Sequence, residues 1–144
     1  MDDKNDIMGR HKTQISIRFA DMDIMGHLNN AKYLTYMETA RIKYFNDVIG
    51  NKINWSENGF ILARAVVDFK APVYLADEEI IVYTKCSKIG NKSFDLNYTM
   101  IKANNRQEVA GGITTLVAYS YGENKTIPIP EEWKAKINEF EDNN

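Results

Sequence analysis

Apolar and polar residues alternate over several stretches of the chain, a two-residue period that is typical of strands with one buried face. The first stretch contains Ile15, Ile17 and Phe19, each followed or preceded by a polar residue. Further strands are predicted over residues 61–69, 79–85, 93–102 and 109–121. The last of these carries Gly111 and Gly112, a pair that predicts a bulge.

One long helix is predicted between the first two strands. Asn29 and Asn30 are good N-cap residues, and the apolar residues that follow recur at helical spacing until Gly50, so the helix is expected over residues 31–49. A short second helix is expected over 131–140, and residues 1–10 are polar and aperiodic, as in a loose arm.

This order of elements predicts an α+β fold, because the strands do not alternate with helices as a parallel sheet requires. With 144 residues, the chain is expected to form a single domain, 1–144. A sheet with one face on a single helix leaves a face or an edge uncovered, and self-association is the simplest way to cover it.

Composition excludes several classes of function. A net charge of −2 argues against a nucleic-acid partner, and a single cysteine excludes a disulfide framework or a multi-cysteine metal site. No apolar run is long enough for membrane insertion, and the charged N-terminus does not resemble a signal peptide, so a cytoplasmic protein is expected. Cys86 is more simply explained as a packed strand residue than as a nucleophile.

Polar and ionisable residues concentrate where the first strand passes into the helix. Asp21, Asp23, His27 and Asn30 fall there, next to free backbone N–H groups and the positive end of a helix dipole. The same residues also suit a merely structural role as turn acids and helix caps. From the residue types alone, the segment predicts a polar site beside a helix start.

The string R-F-A-D-M-D-I-M-G-H-L-N-N-A-K-Y-L-T-Y-M-E-T-A-R over residues 18–41 resembles the signature of hotdog-fold acyl thioesterases of the 4-hydroxybenzoyl-CoA thioesterase family. The resemblance implies an antiparallel sheet of about five strands wrapped around one long helix. It implies hydrolysis of acyl-CoA or acyl-carrier-protein (acyl-ACP) thioesters without a metal or other cofactor. It also implies a homodimer or homotetramer with sites at subunit interfaces.

The resemblance assigns the key carboxylate to Asp23, as nucleophile or as general base for water. His27 and Asn30 would orient the water or the carboxylate, and backbone N–H groups near Gly59 would form the oxyanion hole. Met25 stands where acyl-ACP hydrolases of this type carry asparagine.

Substrate contacts are expected from side chains along the helix, from the loop just before the second strand and from a lysine-rich hairpin. These residues are Tyr33, Tyr36, Met37, Phe60, Lys85 and Lys88. Ordinary core packing explains the helix residues equally well, and a solvated charge cluster explains the lysines. Two other functions stay open: a non-catalytic acyl-binding hotdog protein, and a hotdog dehydratase or hydratase.

Overall fold

One antiparallel sheet and two helices make up the part of the chain that the structure, a computed structural model, describes: residues 8–50 and 54–142. The elements are β1 (His11–Ser16), α1 (Asn30–Val48), β2 (Asn58–Phe69), β3 (Glu79–Ile89), β4 (Ser93–Lys102), β5 (Glu108–Ser120), β6 (Lys125–Thr126) and α2 (Glu131–Glu141). The predicted α+β order is confirmed. Neither helix in the described ranges is both long and apolar enough to cross a membrane.

The five long strands follow the order β1-β3-β4-β5-β2, and β6 pairs with the end of β5. All pairings are antiparallel. One face of the sheet packs on α1, and alternate residues of the strands fill the space between them. The core includes Met37, Ala40 and Tyr44 of α1 and Val82, Leu96, Met100, Leu116 and Ala118 of the sheet.

The bulge predicted at Gly111 and Gly112 lies elsewhere in β5. Met100 pairs with Ala110 whereas Ile101 pairs with Glu108, so the extra residue is Val109. The small size of Gly112 serves packing instead, because a Cβ there would lie 2.7 Å from Cε of Met37. The helix therefore approaches the sheet at a point where only glycine leaves room.

The strand β2 begins earlier than expected, at Asn58, and lies at one end of the strand order. Large apolar residues stay exposed on both of its faces: Leu62 is 44% exposed, Val66 37% and Phe69 51%. Its outer edge pairs with no strand within the described ranges. β1 forms the other edge of the sheet, but none of the exposed large apolar residues lies on it, so β2 is the open edge with an apolar surface.

The second helix, α2, packs against the C-terminal half of α1. The carboxylate of Glu141 accepts hydrogen bonds from the Tyr44 hydroxyl and from the backbone N–H of Cys86. Arg10 donates to the carbonyl of Phe140 at 3.1 Å, and Gly9 is buried against β3. The arm predicted over residues 1–10 therefore does not include Gly9 and Arg10, and residues 1–7 lie outside the described residues.

Replacing Tyr44 with Phe tests the contribution of the Tyr44–Glu141 hydrogen bond to stability. Tyr44 is fully buried, and burial together with its hydrogen bond to Glu141 raises the pKa of its phenol. Removal of the hydroxyl leaves a partly buried carboxylate short of one donor, so we expect the free energy of unfolding to fall by about 1–3 kcal/mol. Denaturant unfolding measures this loss. Tyr121→Phe, at a ring that is 45% exposed, is the matched control and should change stability by less than about 0.5 kcal/mol. Equal losses of stability in the two variants would contradict a stabilising role for the Tyr44–Glu141 hydrogen bond.

Candidate active site

The segment between β1 and α1 is a tight loop fixed by backbone hydrogen bonds. The amide of Asn29 donates to the carbonyl of Asp21 at 2.9 Å, and the amide of Leu28 donates to Val73 at 2.7 Å. Inside this frame the amide of Asp23 donates to His27 at 2.7 Å. Gly26 has φ +80°, a left-handed conformation that glycine adopts without strain, and it closes the turn.

A buried carboxylate anchors the loop to the helix. Asp21 is 1% exposed and accepts hydrogen bonds from the Arg18 guanidinium at 3.0 Å and from the Tyr36 hydroxyl at 2.7 Å. The Lys32 ammonium lies 3.9 Å away. Because Tyr36 belongs to α1 and Arg18 follows β1, this carboxylate ties the end of the strand to the first turns of the helix.

The pKa values of this cluster follow from its contacts. Burial alone would raise the pKa of Asp21, but the hydrogen bonds from Arg18 and Tyr36 and the charge of Arg18 outweigh it, and the pKa lies below its ordinary value. Burial and the hydrogen bond to Asp21 raise the pKa of Tyr36. Asp21 is thus an ionised acid with a structural role, and both of its carboxylate oxygens are engaged by neighbouring side chains.

The carboxylate of Asp23 is held differently. Its Oδ1 accepts hydrogen bonds from the amides of Met25 at 2.9 Å and His27 at 3.0 Å. Its Oδ2 has no hydrogen-bond partner among the residues that the structure describes. One oxygen therefore fixes the side chain and the other is free to act on a ligand. The structure thus separates the two acids of the D-x-D motif into an anchor and a reactive candidate.

Asp23 opens into a cavity of about 300 Å³ between the start of α1 and the end of β2. The Asn29 side chain caps the helix by accepting from the amide of Ala31 at 2.9 Å, and Asn30 follows at the cavity wall. The helix N-terminus places a partial positive charge beside the carboxylate. The cavity is lined by Asp23, His27, Leu28, Asn30, Tyr33, Phe69, Lys70, Ala71 and Pro72.

His27 is positioned by a neighbour that sequence reasoning missed. Its backbone bridges to Tyr74, and the two rings meet edge to face with centroids 5.1 Å apart. Tyr74 in turn donates its amide to Asp77 at 2.8 Å, and Asp77 pairs with the buried Lys102 at 3.1 Å. The sequence carries no recognisable motif for Tyr74, which is brought to the site only by tertiary folding.

The three helix residues expected to contact substrate do not share one environment. Tyr33 lines the cavity, where its ring meets Phe69 at 5.0 Å, whereas Tyr36 bonds to Asp21 and Met37 is fully buried against the sheet. The observed contacts of Tyr36 and Met37 are thus those of core residues, the second of the two roles considered for them.

Gly59 and Phe60 lie far from Asp23 within one chain. Both are in β2 rather than in the expected loop, and Gly59 pairs with Tyr119 of β5. Ten residue steps separate Gly59 from Phe69 at the Asp23 cavity, roughly 30 Å along a strand. Within one chain, the fold therefore does not bring Gly59, the predicted oxyanion donor, close to the predicted carboxylate of Asp23.

A second cavity, of about 340 Å³, lies at the Gly59 end of β2. Its walls are mostly apolar, and Arg41, whose side chain is only 12% exposed, lies 3.5 Å from Glu38 there. The residues lining it are Glu38, Arg41, Ile42, Phe45, Trp55, Phe60, Leu62 and Leu116.

The predicted phosphate-binding lysines also lie away from Asp23. Lys85 and Lys88 are in the second half of β3. The opposite end of that strand is the one near the Asp23 loop, because the carbonyl of Glu78, just before β3, accepts from the amide of Ile17 at 2.8 Å. Lys70 instead lines the Asp23 cavity and pairs with Glu108 at 2.7 Å. The sequence signal that could have identified Lys70 is its position directly after β2, because that strand ends beside the start of α1.

Cys86 is a partly buried residue of β3 that packs against the core, as its sequence context predicted. Burial raises the pKa of its thiol to about 12, so the nucleophilic thiolate is disfavoured at neutral pH. No group of three or more His, Cys, Asp or Glu side chains able to hold a metal occurs in ranges 8–50 and 54–142.

An antiparallel sheet packed around one long helix is the architecture of the hotdog class of thioesterases. The family model of the thioesterase-like superfamily matches residues 17–137, so the chain belongs to that superfamily. The resemblance seen in residues 18–41 is therefore confirmed, and so is the hotdog fold.

Relatives agree with this assignment. The chain is 24% identical over 132 residues to the long-chain acyl-CoA thioesterase FadM of Escherichia coli, which covers 90% of this chain and 98% of FadM. It is 35% identical over 89 residues to the uncharacterized protein YsmA of Bacillus subtilis, covering 59% of this chain and only 56% of YsmA. A solved thioesterase from Thermus thermophilus, complexed with coenzyme A and Zn, superposes with a TM-score of 0.78 at 30% identity, covering 91% of this chain and 93% of that one.

Replacing Asp21 with Asn tests whether this carboxylate stabilises the fold by joining the loop to α1. Because the pKa of Asp21 is lower in the folded state, its contribution to stability is fully present above the unfolded value near 3.8 and is lost as pH falls through the folded value. We expect D21N to lower the free energy of unfolding by about 1–3 kcal/mol at pH 7, with the gap to wild type closing below about pH 4. Denaturant titrations across pH measure the gap. Asp142→Asn, at an exposed acid, should show no gap; a D21N gap that is independent of pH would contradict the account.

Proposed function

We propose that this protein hydrolyses an acyl thioester to a free carboxylic acid and a thiol, with Asp23 as the catalytic carboxylate. The observation that carries the proposal is the geometry of Asp23: Oδ1 is fixed by two amides, Oδ2 has no hydrogen-bond partner among the described residues, and the residue lines a cavity beside a helix N-terminus. A carboxylate with one oxygen fixed and one free meets the need for an oriented nucleophile or base.

Two routes use this carboxylate. Oδ2 either attacks the thioester carbonyl carbon directly, forming a mixed anhydride that water then cleaves, or removes a proton from a water molecule that attacks the same carbon. In both routes the carbon–sulfur bond breaks and the thiolate takes up a proton. His27 and Asn30 flank the carboxylate in the cavity and would orient the water.

The developing oxyanion needs N–H donors, which are worth about 3 kcal/mol each in acyl transfer. Gly59, the predicted donor, lies at the other end of β2 from Asp23 of its own chain. An antiparallel second copy along the β2 edge would bring its Gly59 toward this Asp23. We therefore propose that the working unit is at least a homodimer with sites at the interface.

Coenzyme A is the favoured carrier. FadM is an acyl-CoA thioesterase, and the Thermus thermophilus relative was solved with coenzyme A bound. Lys70 lines the Asp23 cavity with its side chain about half exposed, which suits contact with a phosphorylated carrier. The apolar and aromatic walls of the two cavities suit a fatty or aromatic acyl group.

Asp23→Asn tests the proposal directly. It keeps the size of the side chain and an oxygen that can accept from both amides, but it removes the nucleophile and base, so we expect thiol release from acyl-CoA substrates to fall at least about a hundredfold. A panel of acyl-CoA and acyl-ACP substrates with free-thiol detection measures the rate, and unfolding curves verify the fold.

Asp142→Asn serves as the control and should retain full activity. Wild-type rates in D23N would refute the role of Asp23. Tight acyl-CoA binding by the wild-type protein without thiol release would identify a non-catalytic acyl-binding protein, and hydration of an enoyl thioester would identify a hydratase.

Light scattering tests the oligomer separately. The exposed apolar residues on both faces of β2 predict a mass of at least twice the 16.6 kDa of one chain at micromolar concentration. A stable monomer that still releases thiol would contradict the interface site while leaving the reaction in place.

A further inference from the structure

A buried lysine lies behind the turn that carries Tyr74. Lys102, the last residue of β4, is 7% exposed, and its ammonium lies 3.1 Å from the carboxylate of Asp77. The same ammonium lies over the ring of Tyr74, 5.5 Å from its centroid, a distance at which a cation is attracted to an aromatic face. One buried cation therefore holds both the carboxylate and the ring of this turn.

The carboxylate of Asp77 fixes the backbone of the turn. It accepts hydrogen bonds from the amide of Tyr74 at 2.8 Å and from the side chain of Asn104 at 3.1 Å. The next residue, Glu78, has φ +66°, a left-handed conformation that costs energy in a residue other than glycine. Such a conformation persists only where the surrounding contacts impose it, and those of Asp77 are directly beside it.

The backbone of Lys102 is itself held in place at the end of the sheet. Its amide donates to the carbonyl of Gln107 at 2.9 Å, and its carbonyl accepts from the amide of Arg106 at 2.9 Å. A buried ion pair seldom stabilises a fold more than apolar residues of the same size would, so net stability is a weak reason to bury Lys102. What the ammonium supplies is a fixed point against which the turn is set.

The ring of Tyr74 connects this turn with His27. The two rings meet edge to face with centroids 5.1 Å apart, and the two backbones form a β-bridge. Among the residues that the structure describes, the imidazole nitrogens of His27 have no hydrogen-bond partner. The orientation of the imidazole therefore depends on packing, and Tyr74 supplies the ring that packs against it.

We infer that Lys102 is a positioning residue for the proposed hydrolysis: it holds Tyr74, and Tyr74 holds the imidazole of His27 at the Asp23 cavity. Lys102 does not line that cavity, so it acts through Tyr74 and not on the substrate. The inference rests on the proposed function, in which His27 orients the attacking water. A displaced imidazole then slows the chemical step more than it weakens binding, because the geometry of attack is what changes.

NMR of the two rings tests the inference without any measurement of activity. The chain has two histidines, so the variant His27→Asn identifies the ring signals of His27. We expect nuclear Overhauser contacts between the rings of His27 and Tyr74 in the wild-type protein. They should be lost in Lys102→Met, which removes the ammonium and keeps most of the apolar stem, and retained in Lys102→Arg, which keeps the charge.

Thiol release shows whether this positioning matters to the reaction. We expect kcat of Lys102→Met to fall about tenfold while KM changes by less than about twofold, and Lys102→Arg to recover most of the rate. Tyr74→Leu should reproduce the loss of kcat because it removes the ring, whereas Tyr74→Phe should not. If Lys102→Met does not fold, Lys102→Gln, a neutral side chain that can still donate to Asp77, should likewise weaken the ring contacts.

Tyr44→Phe is the matched control for a general loss of stability. It removes a buried hydrogen-bonding group in the C-terminal half of α1, away from the Asp23 cavity, and should leave both the ring contacts and kcat unchanged. Ring contacts that persist in Lys102→Met, or that are lost equally in Tyr44→Phe, would overturn the inference, as would loss of the contacts with an unchanged kcat. Absence of thiol release by the wild-type protein would instead refute the proposed function, and the ring contacts would still decide whether Lys102 positions His27.

Discussion

The arrangement of the site depends on one buried carboxylate. Asp21 is bound by Arg18 and Tyr36, and this small network joins the end of β1 to the first turns of α1. Removing a charge from water is costly unless donors replace the water, and here the donors come from both sides of the loop. The loop therefore has little freedom, and Asp23, two residues on, is held with one oxygen occupied and one open.

The two acids of the motif illustrate how environment assigns roles. Asp21 is enclosed and fully bonded, so its ionised form is stabilised and unreactive. Asp23 is only partly buried and lies at a cavity with a helix N-terminus, a histidine and a lysine nearby. The sheet leaves the outer edge of β2 unpaired within the described residues, and in the proposed homodimer this edge would bring the Asp23 cavity of one chain to the apolar cavity of the other.

Local signals in the sequence predicted the framework well. Alternation predicted the strands, and Asn29 and Gly50 placed the helix within one residue of its observed bounds, because a cap and a helix end are set by neighbouring residues. Contacts between distant segments were beyond the sequence. Alternation could not show that Gly59 is within β2, and hairpin charge suggested Lys85 and Lys88, whereas folding brings Lys70 and Tyr74 to the site. The glycine pair in β5 predicted a bulge, yet Gly112 makes room for Met37.

A crystal structure of the Asp23→Asn variant with an intact acyl-CoA tests the central claim most directly. The account predicts the thioester carbonyl carbon within about 3.5 Å of the residue 23 side chain, the distance of a reactive approach. It predicts the acyl group in the cavity that Phe60 and Leu62 of the partner subunit line. An acyl-CoA bound with its thioester away from residue 23, and the Asp23 cavity open to solvent, would contradict it.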